Sequence, residues 1–380
     1  MKRVWILVCI GSLLISGCWD NKEVQDISYI TALGIDHKDN KYIIYVQMLD
    51  FATIAKQENS KPTEKAPIWV GRGTGTNLAE ALIDLYTSNQ QRVSWGHVTA
   101  LVLTESVLKP ELLSQVFDLT NRTQEIRYTK WIYGTMDNME DLFAVSPFFQ
   151  LSPLHSLLHE PRESYVQFSF IPPLQFVNFI RLYREKAATV VLPSLHISNQ
   201  KWSENLKQHP ILEVNGGFLI KNKKTMGWLR RSDLLGTRWL ASPQTHASII
   251  VKDNDKAIGS IVLEKPQSSI EVIRKPNDVS YRIKLNVTGT VQNMYISTIG
   301  VKELKRLTED TLRKEMQNTF KKAALIKADP YELCLQLYRT DPKLWKKLVE
   351  QKKEIYDETP LEFNVDVNLR YWGQRRSLNR

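Results

Sequence analysis

The chain has 380 residues, 42% hydrophobic and 24% charged, ordinary values that exclude large-scale disorder and leave room for two or three domains. Its 51 Lys and Arg against 41 Asp and Glu give a formal charge of +10, which suits an anionic surface such as a membrane or wall polymer. No run of five basic residues, zinc-finger spacing or aromatic RNA-binding signature accompanies that charge, so nucleic acid is excluded as a partner.

At the amino terminus Lys2-Arg3 precede the uncharged, mostly apolar stretch Val4 to Ile15. As a helix it would span ~18 Å, short of the ~30 Å hydrocarbon core of a bilayer. It reads as an export signal rather than a permanent anchor. The sequence Ile15-Ser16-Gly17-Cys18 resembles the bacterial lipobox, with Ile15 where leucine is usual. In that motif the cysteine thiol receives a diacylglyceryl group and becomes the first residue after cleavage. Two acyl chains, at ~0.8 kcal/mol per buried methylene, make a stable anchor. Cys18 is therefore the expected lipid site. With Cys9 in the signal and Cys18 acylated, only Cys334 remains, and no internal disulfide can form. Cys334 shares a helical face with Leu333, Leu337 and Tyr338, as a buried small hydrophobe does.

After a short polar tether, "SYITALGIDHKDNKYIIYVQML" predicts two strands joined at "DHKDN". "KQENSKPTEKAP" predicts an exposed loop. A strand "IWV", a glycine-rich turn "GRGTGT" and a helix "NLAEALIDLYTS" follow, then a buried strand "HVTALVLTE". "PELLSQVFDLTN" predicts a helix with Pro110 in its first turn, and "YTKWIYGTM" a strand. This alternation predicts helices packed on a mixed sheet. From about residue 146, proline-punctuated segments mark a junction. Beyond it come a helix "PLQFVNFIRLYRE", a strand "ATVVLPSLHI", a polar loop, a hairpin about "KNKK" and a helix "RSDLLGTRWL".

The last third alternates strictly. Tyr281, Ile283, Leu285 and Val287 lie two apart, as do Leu361, Phe363, Val365, Val367, Leu369 and Tyr371, which predicts sheets with one buried face. "KDND" and "KPND" separate the strands of a meander. The helix from Val301 carries Leu304, Leu307, Leu312, Met316 and Phe320 near one face. Its charged side favours packing on the sheet over lying on a membrane, because Glu303, Glu309, Asp310 and Glu315 interrupt the basic residues. Asp329-Pro330 and Asp341-Pro342 each predict a helix start.

Chemistry-bearing motifs are weak. "GRGTGTN" lacks the Gly-Lys-Ser/Thr ending of a phosphate loop and reads as a strand-to-helix turn. His155 and His159 in "HSLLHE" have a one-turn spacing that suits zinc, but the glutamate follows the pair, and Pro161 is expected to end the turn. No nucleophile elbow or cysteine-nucleophile motif occurs. Glu309-Asp310 reads as a solvated face. No catalytic residue, metal site or cofactor is expected.

"GCWDNKEVQD" at the lipobox, followed in order by "GTGTNLAEAL", "WGHVTALVLTE", "NRTQEIR", "GGFLIKNKKTMGWL" and "DPKLWKKL", resembles the Ger(x)C family of spore germinant receptor C subunits. The resemblance covers about residues 13 to 373. It implies an α+β lipoprotein of three small mixed α/β domains, with predominantly mixed or antiparallel sheets and packed helices. It also implies anchoring to the outer face of the inner spore membrane beside an A-type and a permease-like B-type subunit, in a receptor that senses nutrients and triggers germination. The one modification carried over is the diacylglyceryl thioether on Cys18. Trp19 and Asp20 match the family's opening, with no role assigned. The expected organisation is a signal peptide over 1–17, an α/β domain over 18–145, a small middle α+β domain over 146–243, and a C-terminal antiparallel meander with helices over 244–380. The expected function is that of a non-enzymatic receptor subunit. The alternative is the substrate-binding lipoprotein of a transporter.

Overall fold

The computed structural model describes residues 27–50, 67–123, 125–241, 245–275, 278–296, 299–351 and 360–371. The signal segment, Cys18, Trp19, Asp20 and most of the polar loop at 56–67 lie outside them.

Strands β1 (Ile27–Lys38) and β2 (Lys41–Leu49) form the expected hairpin. Its turn residues Asp39 and Asn40 have φ of 52° and 58°, the left-handed pair whose twist matches that of the strands it joins. Strand β3 (Ile68–Gly75) corrects the sequence reading, because the glycine-rich stretch is not a turn but its second half. Gly71, Gly73 and Gly75 lie two apart and face the helix α1 (Leu78–Thr87). A Cβ on Gly73 would sit 2.1 Å from the Ala81 carbonyl oxygen. The bare stripe lets the helix fold directly back onto its own strand. Asn77 Oδ1 accepts from the Glu80 amide at 2.9 Å while the Glu80 carboxylate accepts from the Thr76 amide at 2.8 Å, a reciprocal cap of the capping-box kind.

The chain continues through β4 (Arg92–Ser94), β5 (Ala100–Thr104), α2 (Pro110–Arg122), β6 (Trp131–Thr135), α3 (Met139–Ala144), α4 (Pro161–Gln167), α5 (Phe176–Arg184) and β7 (Thr189–Ser198). A minute hairpin, β8 (Ser203–Glu204) and β9 (Lys207–Gln208), interrupts the expected polar loop before β10 (Ile211–Lys221) and β11 (Lys224–Arg230). One nine-stranded sheet results, ordered β11-β10-β7-β6-β5-β1-β2-β3 with β4 beside β1. β1, β5, β6 and β7 are parallel, and the flanking strands antiparallel. Phe117, Phe176 and Phe179 of α2 and α5 cover one face, and Leu142 and Phe143 of α3 the other. Segment 146–243 thus shares its sheet with the segment before it. Gly134 makes room for this: a Cβ there would lie 2.4 Å from the Phe218 ring of β10.

The segment "RSDLLGTRWL" was expected as one helix. It is instead two 3-10 turns followed by the single turn α6 (Arg238–Ala241). Tertiary contact overrides local propensity here, because Gly236 donates its amide to Thr319 Oγ1 at 3.0 Å and a Cβ on it would meet the Tyr331 hydroxyl at 2.3 Å.

Beyond it, β12 (His246–Asp253), β13 (Lys256–Lys275) and β14 (Asp278–Met294) form the expected meander. Helices α7 (Val301–Leu325), α8 (Leu333–Thr340) and α9 (Pro342–Glu350) lead to β15 (Leu361–Tyr371). β15 pairs parallel with β14, so this sheet is not wholly antiparallel, since the helices carry the chain back before the last strand begins. Tyr281, Ile283, Leu285, Phe363 and Val365 pack with Leu304, Leu312 and Met316 of α7 in one core. Asp341 caps α9 as expected, accepting from the Leu344 amide at 3.0 Å. Asp329-Pro330 does not start its helix, which begins at Leu333 after a left-handed Glu332.

Two buried polar assemblies tie these layers together. His155 closes a 3-10 turn, whereas His159 is buried, and Pro161 opens α4 rather than ending a turn. His159 Nε2 lies 2.8 Å from Gln47 Oε1, which only accepts, so Nε2 carries the proton. Its Nδ1, 2.6 Å from Thr99 Oγ1, accepts. Burial pushes the His159 pKa down from 6.5 to about 3. Between the two units, Arg238 (2% exposed) donates through one nitrogen to both Glu315 oxygens at 3.0 Å, and Trp239 Nε1 donates to the same carboxylate at 3.0 Å.

Two outcomes follow. Because the folded pKa of His159 is depressed, the unfolded chain binds the extra proton between pH 6.5 and about 3, and stability falls as pH drops through that window, by up to about 1.4 kcal/mol per unit. Urea midpoints measured at pH 7 and pH 4 are expected to differ less in His159→Gln than in the wild type. Glu315→Leu strands a buried guanidinium and is expected to cost about 3–5 kcal/mol in the same unfolding assay.

Candidate functional site

The nine-stranded sheet and the C-terminal unit meet where α5 turns into β7. Ala187, in that turn, has φ of 64° and is buried in the C-terminal core beside Trp239 and Leu333. The turn is thus a plug from one unit seated in the other. Beside it lies a cavity of about 410 Å³. Its walls come from residues 171–174, the start of β7, residues 237–241, Ser268 to Ile270 of β13, and residues 330–339. Ile171 and Leu335 are buried apolar walls, while Ser268, Ser269 and Arg339 are exposed at the rim.

Two polar residues stand out inside. Thr189 is 3% exposed, and among the described residues its hydroxyl has no hydrogen-bond partner. Glu332 adopts φ of 56° ahead of α8. Burial first, then repulsion from Asp329, pushes its carboxyl above the usual range, with Arg339 and Arg181 opposing and Glu185 adding at longer range. Asp329, directly behind, is fully buried. Burial raises its pKa, opposed by hydrogen bonds from the Cys334 and Leu333 amides and by the charge of Lys221. Its Oδ2 accepts from the Cys334 amide at 2.8 Å, while Oδ1 has no partner among the described residues. Tyr281 shares this interior, and burial pushes its hydroxyl pKa up, with Cys334 and Asp329 adding.

The residues singled out in the sequence go elsewhere. Cys18 lies outside the described residues. His155 is exposed and His159 buried, and among the described residues no group of three or more His, Cys, Asp or Glu is placed to hold a metal. The glycines of "GRGTGTN" are covered by α1, leaving no cradle. Asp310 pairs with Arg306 and Arg313, and Glu309 accepts from the Val367 amide at 3.2 Å. Cys334 is a buried free thiol. No described helix is long and apolar enough to cross a membrane. The cavity was missed because its walls come from five separated segments. Its one local signal is Asp329-Pro330-Tyr331-Glu332, where a helix start was expected three residues early.

Two family descriptions match the chain in order: the spore germination protein N-terminal domain over residues 20–197, and the spore germination B3/GerAC-like C-terminal domain over residues 215–373. Spore germination protein KC of Bacillus subtilis (strain 168) is 22% identical over 391 residues, covering 98% of this chain and 96% of its own. Spore germination protein B3 of the same organism is 20% identical over 374 residues, covering 95% of each. The crystal structure of the GerBC protein superposes with a TM-score of 0.55 at 16% identity, over 91% of this chain and 99% of that one, so the mixed α/β architecture is shared. With both domains matched in order along nearly its whole length, this chain belongs to the Ger(x)C family of spore germination proteins.

Proposed function

We propose that the protein is the lipid-anchored, non-enzymatic C subunit of a nutrient germinant receptor. In this reading a diacylglyceryl thioether on Cys18 holds it on the outer face of the inner spore membrane. There it works with an A-type and a permease-like B-type subunit to trigger germination. The observation that carries the reading is the match to spore germination proteins along nearly the whole chain. In this reading the strands of segments 18–145 and 146–243 build one sheet together, and 244–380 forms the C-terminal unit.

Geometry adds a length constraint. Only residues 19–26 separate Cys18 from Ile27, the first residue of β1. Even fully extended, that stretch spans no more than about 30 Å. A body tethered this closely meets membrane-embedded subunits at high effective concentration. The transporter alternative is disfavoured because binding-protein lobes resemble one another, whereas a nine-stranded mixed sheet here faces a four-stranded one.

Spores carrying Cys18→Ala test the proposal. The variant chain is expected to leave the membrane fraction, and the nutrient-triggered germination that depends on this receptor is expected to be slowed at least severalfold, with sporulation normal. A variant that stays membrane-bound and fully active would overturn the anchoring role.

A further inference from the structure

The junction cavity contains two polar groups that the fold itself does not use. Buried hydroxyls are ordinarily hydrogen-bonded, and leaving one without a partner costs ~1–3 kcal/mol. Thr189 nevertheless begins β7 with its hydroxyl unpartnered among the described residues, in the wall of a cavity whose volume falls in the ~300–1,000 Å³ range of small-molecule sites. In the wall of the same cavity, Glu332 takes a left-handed backbone conformation that is costly for a residue bearing a Cβ, and such strain concentrates at ligand sites.

The charges facing Glu332 decide what kind of molecule fits. Asp329 lies on the same loop, Arg339 on α8, Arg181 on α5 and Glu185 just after it, with Lys221 of β10 acting on Asp329. Arg339 and Arg181 are both exposed, so their charges are largely answered by water, whereas Asp329 is fully buried and Glu332 half-buried. A cation entering the cavity therefore meets a carboxylate that burial and its neighbour both disfavour, and relieves both effects. An anion would meet the same two acids. The remaining wall sets aliphatic Ile171, Leu174, Val191 and Leu335 beside polar Thr237, Ser268, Ser269 and Gln336.

We propose that this cavity binds a small organic ammonium compound with an apolar body, its nitrogen on the Glu332 carboxylate and a hydrogen-bonding group on Thr189. The ligand would bridge the nine-stranded sheet, through Thr189, and the C-terminal unit, through Glu332. It thereby favours the arrangement in which the two units are closed on each other. The inference stands apart from the germination reading, since binding is scored on the purified chain and failure there leaves the anchoring of Cys18 untouched.

Calorimetric titration of the full chain in detergent, with detergent-only blanks, tests it using three probes of one shape. These are cyclohexylmethylamine, cationic at neutral pH, the neutral cyclohexylmethanol, and the anionic cyclohexanecarboxylate. The amine is expected to saturate at one site about tenfold or more tighter than the other two, the margin of one charge-assisted hydrogen bond. Glu332→Gln is expected to erase that margin while leaving the alcohol's affinity unchanged, which also shows that the variant is folded. Thr189→Val is expected to weaken the amine about threefold to tenfold. Equal binding of amine and alcohol, no saturable binding of the amine, preference for the carboxylate, or an amine affinity unaltered by Glu332→Gln would each overturn the proposal.

Discussion

Four strands, β1, β5, β6 and β7, run the same way, so all of them begin at the same end of the sheet. Ala32, Ala100 and Trp131 are level across three of them, and Gly134 is level with Ser194 on the fourth. The end at which the chain enters through Ile27 is consequently the end at which β7 begins with Thr189. The junction cavity therefore sits at the end of the sheet where the described chain enters at Ile27. The β7–β10 connection, whose Trp202 meets Phe148 of the segment after α3 edge-to-face at 5.0 Å between ring centroids, occupies the opposite end. Strand direction alone thus sorts these features to two ends of the sheet.

What holds the C-terminal unit to this frame is a mixture of apolar and polar contact. Phe170, Ile171, Leu219 and Leu234 pack with Ala323 and Ala328. The Arg238–Glu315 pair lies alongside, desolvated and further satisfied by Trp239. A buried ion pair of this kind adds little net stability over apolar replacements, but it penalises every misaligned arrangement that separates its members. It acts as a registration device. The cavity follows from that registration, because its walls belong to both units and exist only while they are correctly apposed.

The sequence was most legible where local physics decides the outcome. The Asp39-Asn40 and Asn254-Asp255 turns, the Pro110 and Asp341-Pro342 helix starts, and the alternation through Tyr281 to Val287 all came out as read. Reading failed where a distant partner sets the conformation. The glycines of β3 look like a turn until α1 is seen lying on them. The helical pattern after Arg230 is broken by the approach of Thr319 and Tyr331 to Gly236. Thr189 carried no signal and Glu332 only a displaced helix start, because the two are separated by 143 residues and line one cavity only through sheet order and the crossover helices. The family resemblance was legible because it rests on ordered short motifs, which do not depend on knowing the fold.

A short covalent link is the simplest way to keep such a body oriented at a bilayer, and the account stands or falls on it. Mass spectrometry of the N-terminal peptide of the chain, isolated from spore membranes, is the direct measurement. The account predicts that residue 18 is first and that its sulfur carries the mass of a diacylglyceryl group. A mature chain whose Cys18 is an unmodified thiol, or one that retains residues 1–17, would contradict it.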